Sequence, residues 1–199
     1  MVKKLFMLFC LLPLAVYSQE SFDGYQGILR AQGTLCAGFN PAFKSTNIYL
    51  HGDLEYYLNN KISIRGDVFY FLNSKTANDP IEPFAYKHEL FSGVNYHFTS
   101  GKLDLFAGLQ PGLIFAKRQY LQFQDSISPI MPLPDPQKSL GVATSVVAGL
   151  NYYASRFFHL FIQTRYQYGW LSDNYTMAST SEFKISFGLG FYLRTQKNK

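Results

Sequence analysis

Three side chains capable of acid–base or metal chemistry stand at alternate positions of one short segment. Residues 51–55 read HGDLE, which places His51, Asp53 and Glu55 two residues apart. On a β-strand such residues share a face, so these groups could bind a metal ion or transfer protons together. The alternative is a network of buried ion pairs. The basic partners that the sequence offers for it are Arg65, Arg165 and Lys184.

The other reactive residues of the chain have equally plain interpretations. His97 and His159 could form a pH-sensitive pair, but we expect them to line a solvated interior. Cys36 could be a reactive thiol, but we expect it to be internal and inert. Lys117 and Arg118 form a basic pair that could meet lipid phosphates. We therefore predict an ion-pair network and assign no catalytic, cofactor-binding or metal-binding residues.

The segment that contains Arg165 indicates which kind of element positions these groups. Residues 157–171 read FFHLFIQTRYQYGWL, and four polar side chains interrupt this apolar run at even intervals: His159, Gln163, Arg165 and Gln167. A helix would spread them around its circumference, whereas a strand collects them on one face. The opposite face carries bulky side chains from Phe158 to Trp170. The alternation predicts a long amphipathic strand.

The same alternation recurs along the chain and predicts eight strands. They are residues 27–39, 47–58, 61–72, 88–98, 102–116, 140–153, 157–171 and 182–193. Each is long enough for a tilted strand to cross a bilayer, which takes about 9–11 residues. No segment has the roughly 20 consecutive apolar residues of a membrane helix. Pro111 lies within the fifth strand, where we expect a bulge.

The connections between these strands alternate in length. Short turns are predicted at 59–60, 99–101 and 154–156, and longer connections at 40–46, 73–87, 117–139 and 172–181. Short periplasmic turns that alternate with longer outer loops are typical of membrane barrels. We therefore predict an all-β fold, an eight-stranded antiparallel transmembrane up-and-down β-barrel.

Side-chain volume decides which face of the strands points outward. The bulky apolar set is too large for the interior of an eight-stranded barrel, which side chains just fill. A soluble lipocalin-like barrel, with the apolar face inside, is disfavoured for this reason. The opposite set is small or polar, so we place it in the lumen. Its larger members are His51, Asp53, Glu55, Arg65, Asp67, Asn95, His97, Asp104, Gln110, Asn151, His159, Arg165 and Lys184.

Aromatic residues, 18% of the chain, gather near the predicted strand ends. Rings with polar tips prefer the two membrane–water interfaces. Beside the short turns lie Tyr56, Tyr96, Phe98 and Tyr152, and beside the longer connections lie Tyr70, Phe115, Tyr168 and Trp170. The strand ends thus predict two aromatic girdles.

The first residues predict export. MVKKLFMLFCLLPLAVYSQ has two lysines, a short apolar run and a small residue before Gln19, the layout of a secretory signal peptide. We expect residues 1–18 to be the signal peptide and residues 19–199 to be one barrel domain. Cleavage would remove Cys10 and leave only Cys36, so an internal disulfide is excluded. The formal net charge of +5 is not concentrated in one block, which argues against a nucleic-acid partner.

The chain resembles the small outer-membrane β-barrel proteins, OmpX-like and OmpA-like, in particular the outer membrane protein β-barrel domain family common in Bacteroidetes. The resemblance covers the mature chain and rests on the cleavage site at Gln19, the eight strands and the closing segment FKISFGLGFYLR. This segment is similar to the aromatic-terminated last strand that the barrel-assembly machinery recognises. The tail TQKNK departs from the pattern, because many such proteins stop at the final aromatic residue.

Together with the filled lumen, the resemblance implies a bacterial outer-membrane protein of structural or interaction type, without catalysis or a cofactor. Its expected partners are outer-membrane lipid, lipopolysaccharide, the barrel-assembly machinery and an extracellular partner of the loops. One alternative is a small pore, for which eight strands leave too little bore. Another is a lipid-modifying outer-membrane enzyme, although no His-x-Ser arrangement stands at a lipid-facing strand end.

Overall fold

The computed structural model describes residues 24–76, 84–118, 138–155, 157–172 and 177–195. The predicted signal peptide, with Cys10, lies outside the described residues. So do the proline-rich part of the predicted connection 117–139 and the side chain of Arg118. Among the residues that are described, no helix is long and apolar enough to span a membrane.

The described chain forms strands that close on themselves. They are β1 (Ile28–Asn40), β2 (Ser45–Tyr57), β3 (Ile62–Thr76), β4 (Phe84–Ser100), β5 (Leu103–Arg118), β6 (Lys138–Tyr152), β7 (Phe158–Ser172), β8 (Met177–Ser179) and β9 (Glu182–Arg194). Consecutive long strands pair antiparallel, and β9 pairs with both β7 and β1. All eight predicted strands are confirmed, and the fold is a closed eight-stranded antiparallel barrel. The short β8 was not predicted.

Side-chain burial alternates along every long strand, as the period-two pattern requires. On β5 the apolar residues Leu103, Leu109 and Phe115 point outward, with 45%, 62% and 45% of their surface exposed. Between them, Asp104 and Gln110 point inward and are fully buried. The predicted orientation, with apolar side chains outside and polar ones in the lumen, is confirmed.

The eighth barrel strand is longer than predicted. β8 and β9 both pair with β7 in one register, because Trp170 pairs with Ser179 and Gln167 pairs with Glu182. Between the two strands, the Thr180 N–H donates to a β7 carbonyl at 2.9 Å. The predicted connection 172–181 is therefore wrong in its second half, which extends the barrel wall.

The first of the predicted long connections is also wrong, because β1 and β2 are joined only by residues Pro41–Lys44. The Asn40 side chain closes this turn by accepting hydrogen bonds from the N–H groups of Ala42 and Phe43 at 3.0 and 3.2 Å. Lys44 adopts a left-handed φ of 50°. An Asn side chain that mimics a backbone turn explains how four residues suffice.

Pro111 interrupts one ladder without shifting it. β4 and β5 pair at Phe91 with Gly112 and at Val94 with Leu109, with the same offset on both sides. Proline lacks an N–H, so a ladder can lose a bond at this point without an inserted residue. The strand at Pro111 is confirmed, and the bulge expected there is wrong. The bulges of this sheet lie elsewhere, at Ile48/Tyr49 and at Phe84/Tyr86.

We predict that Gly93→Ala destabilises the barrel, because β4 and β5 approach closely opposite Pro111. A methyl group at Gly93 would collide with the Leu109 carbonyl oxygen, which is backbone and cannot turn aside. Gly33→Ala is the matched control, since nothing lies within 4 Å of a methyl group there. Overpacking costs about 1–3 kcal/mol, so the unfolding free energy in detergent should fall for Gly93→Ala only. Equal effects at both positions would contradict the close approach.

Candidate functional site in the barrel lumen

The buried polar side chains of the lumen lie in three layers along the barrel axis. The turn layer lies near the short connections at 58–61, 101–102 and 153–157, and the loop layer lies near the opposite end. A central layer stands between them. Members of each layer come from several strands, so it is barrel closure that brings them together.

The turn layer is centred on Glu55, which is fully buried on β2. Its carboxylate accepts hydrogen bonds from Arg30 and Ser63, and from the Asn95 amide at 2.7 Å. The ring of His97 bridges this layer, with one nitrogen 3.2 Å from Glu55 and the other 2.8 Å from Asp104. Both carboxylates therefore have partners away from water, as buried charges require.

Four tyrosines close the barrel below the turn layer, and we call them the tyrosine plug: Tyr25, Tyr57, Tyr153 and Tyr192. The Tyr25 ring packs on those of Tyr57 and Tyr153 at 5.8 and 5.3 Å, and its hydroxyl donates to the Gly101 carbonyl at 2.8 Å. Burial raises the pKa of the Tyr25 and Tyr153 phenols above their usual value. The plug is therefore neutral.

The central layer is centred on Asp67 of β3. Its carboxylate lies 2.8 Å from Arg65, 2.9 Å from Arg165 and 2.9 Å from the His51 ring. Arg65 also bonds Asp53 at 2.8 Å. The ion pair of Arg165 is therefore with Asp67, a member of the predicted lumen set.

The three residues first considered for chemistry are divided between layers. Glu55 belongs to the turn layer, whereas His51, Asp53 and Asp67 could offer ligand atoms within 4.8 Å of one another. Both aspartates already bind Arg65, so a divalent cation there would lie against a guanidinium. The arrangement matches the predicted ion-pair network, although Lys184 is not part of this layer.

The loop layer consists of residues that sequence reasoning largely missed: Lys87, Glu89, Gln167, Glu182 and Lys184. Lys87 donates to Glu182 at 2.6 Å and lies 3.2 Å from Glu89. Lys184 bonds Glu89 and Gln167. Lys87 was missed because the fourth strand was predicted to begin at 88. Glu89 lies inside the predicted strand and shares the parity of Asn95 and His97, so simple alternation already places it in the lumen.

Aromatic and aliphatic side chains pack around the loop layer inside the lumen, which the sequence analysis did not predict. We call this group the aromatic cluster: Cys36, Tyr49, Phe69, Phe71, Phe84, Phe91, Ile114, Ala116, Ala143 and Leu171. The ammonium group of Lys184 lies 4.6 Å from the Phe69 ring centre and 4.9 Å from that of Tyr49. Cys36 is buried here, as predicted, with 1% of its surface exposed.

The two inward histidines of the turn end do not form a pair. His97 bonds within the turn layer, and the His159 ring nitrogen lies 2.8 Å from the Gln32 amide. Both are buried, at 1% and 0% exposure, so the expectation of a solvated lining is wrong. The lumen at this level is filled by side chains.

No family model matches the chain, and no curated protein is similar in sequence. The chain is similar to the solved structure of Neisserial surface protein A (14% identity, 84% of this chain and 96% of that one, TM-score 0.57). It is also similar to OprG from Pseudomonas aeruginosa (13% identity, 86% and 98%, TM-score 0.57). The fold is that of the small outer-membrane β-barrels. The N-terminal β-barrel domain of Pseudomonas aeruginosa OprF agrees (15% identity, 84% and 98%, TM-score 0.50). Such low identity extends the likeness to fold alone, so membership of the Bacteroidetes family stays a prediction.

We predict that Arg165→Ala lowers the unfolding midpoint in detergent more than Lys117→Ala. Arg165 is 2% exposed and bonds Gln110 at 2.6 Å and Ser145 at 2.8 Å besides Asp67, whereas Lys117 is an outward side chain at a strand end. Removing one partner of a buried ion pair costs about 3–5 kcal/mol. In the variant Asp67 would still pair with Arg65, which reduces this cost.

Arg165→Leu should be no milder than Arg165→Ala, because leucine also leaves Asp67 without its second arginine. Negligible effects at both positions 165 and 117 would contradict a dry ion-pair network. They would instead indicate that Arg165 is solvated by a water-filled pore.

Proposed function

We propose that this chain is an outer-membrane barrel of structural or interaction type whose lumen does not conduct. The observation that carries the proposal is the filled lumen. From the tyrosine plug through three charged layers to the aromatic cluster, inward side chains are buried against one another. The charged side chains Arg30, Arg65 and Arg165 lie across this path, each with at most 2% of its surface exposed.

The outer surface supports residence in a membrane. Large apolar side chains with 37–68% of their surface exposed cover the outward face of all eight long strands. Soluble monomers rarely expose contiguous apolar patches larger than a few hundred Å². Aromatic pairs stand near both ends of the wall, Tyr96 with Phe98 and Tyr168 with Trp170, at 4.9 and 4.4 Å between ring centres. These positions suit the two predicted girdles.

We propose no catalytic role. The groups best suited to acid–base work, His51, Asp53 and Asp67, are held by arginines in the central layer. Within the described residues at most 7% of the surface of any of the three is exposed, so a substrate would have to displace packed side chains to reach them. The neighbouring folds support this proposal only as far as the fold, since a barrel of this kind hosts many functions.

Lipid phosphate is the partner that the loop end of the wall favours. Lys117 on β5 and Lys138 on β6 stand directly opposite each other and point outward. Neither forms an ion pair within the described part of the chain. Like charges in this position destabilise a sheet, so an anion between them would relieve repulsion. Lipopolysaccharide, an expected partner of the chain, carries phosphate anions of this kind.

We predict that the native protein sediments with the outer membrane and gives no conductance steps in planar bilayers. The reason is that, among the described residues, the inward side chains of every layer are buried against one another. Recording single channels from membrane-extracted protein checks this directly. Stable, ion-dependent steps would contradict the proposal, as would recovery of the protein in the soluble periplasmic fraction.

We also predict that replacing Lys117 and Lys138 leaves the barrel as stable or more stable in neutral detergent, but reduces its stabilisation by lipopolysaccharide. In neutral detergent, Lys117→Gln with Lys138→Gln should unfold at the same or a higher temperature than wild type, because repulsion is removed. Added lipopolysaccharide should raise the midpoint of wild type and raise that of the double variant less. Lys44→Gln with Lys75→Gln removes the same charge from lysines that are not paired opposite each other, so it should keep most of the response. Equal losses in both double variants would contradict a specific site.

A further inference from the structure

The charged side chains of the lumen balance one another in two of its three layers. In the central layer, two aspartates face two arginines: Asp53 and Asp67 with Arg65 and Arg165. In the loop layer, two lysines and two glutamates pair with one another: Lys87, Glu89, Glu182 and Lys184. Each of these two layers is therefore electrically neutral when its acids and bases are all ionised.

The turn layer has one cation too few. Its carboxylates are Glu55 and Asp104, and both are fully buried. Among the described residues, the only arginine or lysine buried at this level is Arg30, which bonds Glu55 and lies 3.8 Å from Asp104. One negative charge is left over in a space that side chains fill. A buried charge without a counter-charge is costly, so the layer needs a further cation.

His97 lies between the two carboxylates of the turn layer. Its Nδ1 is 2.8 Å from Asp104, and its Nε2 is 3.2 Å from Glu55 and 2.8 Å from the Ser63 hydroxyl. A neutral imidazole carries hydrogen on one nitrogen only, so one nitrogen would turn a lone pair toward a carboxylate. Ser63 could donate to such a lone pair only by turning its hydrogen away from Glu55, to which it donates. The contacts of the ring are therefore satisfied best when both nitrogens carry hydrogen.

The other groups around the His97 ring do not replace the missing cation. The titratable and charged side chains that face the ring are Arg30 of β1, Glu55 and Tyr57 of β2, Arg65 of β3, Asp104 of β5 and Tyr153 just after β6. The tyrosines are neutral, and the Tyr57 hydroxyl donates to Asp104 at 2.6 Å. Arg65 is balanced within the central layer. The positive charge that the turn layer lacks can therefore come from His97 itself.

The remaining histidines of the chain differ from His97, because each has one ring nitrogen against an N–H donor. The three contacts are His88 with the Phe71 N–H at 3.2 Å, His159 with the Gln32 amide at 2.8 Å, and His51 with the Gln163 amide at 3.5 Å. A ring nitrogen that accepts a hydrogen bond carries no hydrogen, so these rings are neutral. His97 is the one histidine whose two nitrogens both face oxygen atoms.

We propose that His97 is a proton-binding site that is occupied at neutral pH and holds the turn end of the barrel closed. The bound proton makes the ring an imidazolium, which supplies the missing positive charge between Glu55 and Asp104. Asp104 also anchors the tyrosine plug, because it accepts from Tyr57, whose hydroxyl lies 3.1 Å from that of Tyr153. When the pH rises and the proton leaves, the closure of this end is therefore weakened. The site goes beyond the proposed function, because it needs only the closed barrel.

Nitrogen-15 NMR of the histidine-labelled protein in detergent micelles tests the proposal without any substitution. The measurement is made at about pH 7.5, where an ordinary histidine, with a pKa of about 6.5, is mostly neutral. We expect one of the four rings to have both nitrogens protonated and the other three to have one each. In His97→Gln the signals of the charged ring should disappear. Four neutral rings would overturn the proposal, and so would a charged ring that persists in His97→Gln.

Unfolding equilibria measure the same proton against a matched control. If folding takes up a proton that the unfolded chain does not bind, the equilibrium constant for unfolding rises by about tenfold per pH unit above neutral pH. We expect His97→Gln to lose this dependence. His159→Gln removes a neutral, equally buried ring near the same end of the barrel and should keep it. The same pH dependence in wild type and in His97→Gln would show that His97 binds no proton and would overturn the proposal.

Discussion

Every charged group in this lumen needs a partner, because a barrel filled with side chains leaves little water to solvate an isolated ion. Some of these partners come from strands that are not neighbours: Arg65 of β3 bonds Gln163 of β7 at 2.6 Å, and Lys87 of β4 bonds Glu182 of β9 at 2.6 Å. Such contacts cross the barrel. A slip of one strand by two residues would keep its apolar face outside but separate these pairs. The ion pairs therefore select one register among those that alternation allows.

Alternation itself is local, which is why so much of the fold could be predicted. Whether a residue faces lipid or lumen depends on its parity within a strand, and the sequence shows parity directly. The identity of a partner depends on the register of several strands at once. His51, Asp53 and Glu55 share a face, yet Glu55 joins Arg30 whereas Asp53 joins Arg65. No spacing within residues 51–55 carries that information.

Pro111 and the two bulges show the same difference between what a single strand determines and what its neighbours determine. Pro111 was a visible signal for a bulge, but losing one N–H removes a bond without adding a residue. The real bulges leave Leu72 and Ala85 unpaired, and neither is a residue type that marks a bulge. They lie where β3 is paired with β2 and β4 is paired with β5, beyond the end of the β3–β4 ladder. The end of the β3–β4 ladder at the pair Phe69–Glu89 could not have been predicted from either strand alone.

The composition of the lumen differs between the turn end and the loop end of the barrel. The turn and central layers hold the ion pairs that fix register, and the tyrosine plug closes the end next to them. The loop end is joined to them through Lys184, whose ammonium group bonds Glu89 and also lies over the Phe69 ring. Because ion pairs in all three layers constrain the register, the β3–β4 ladder can stop at the pair Phe69–Glu89 without loss of the fold.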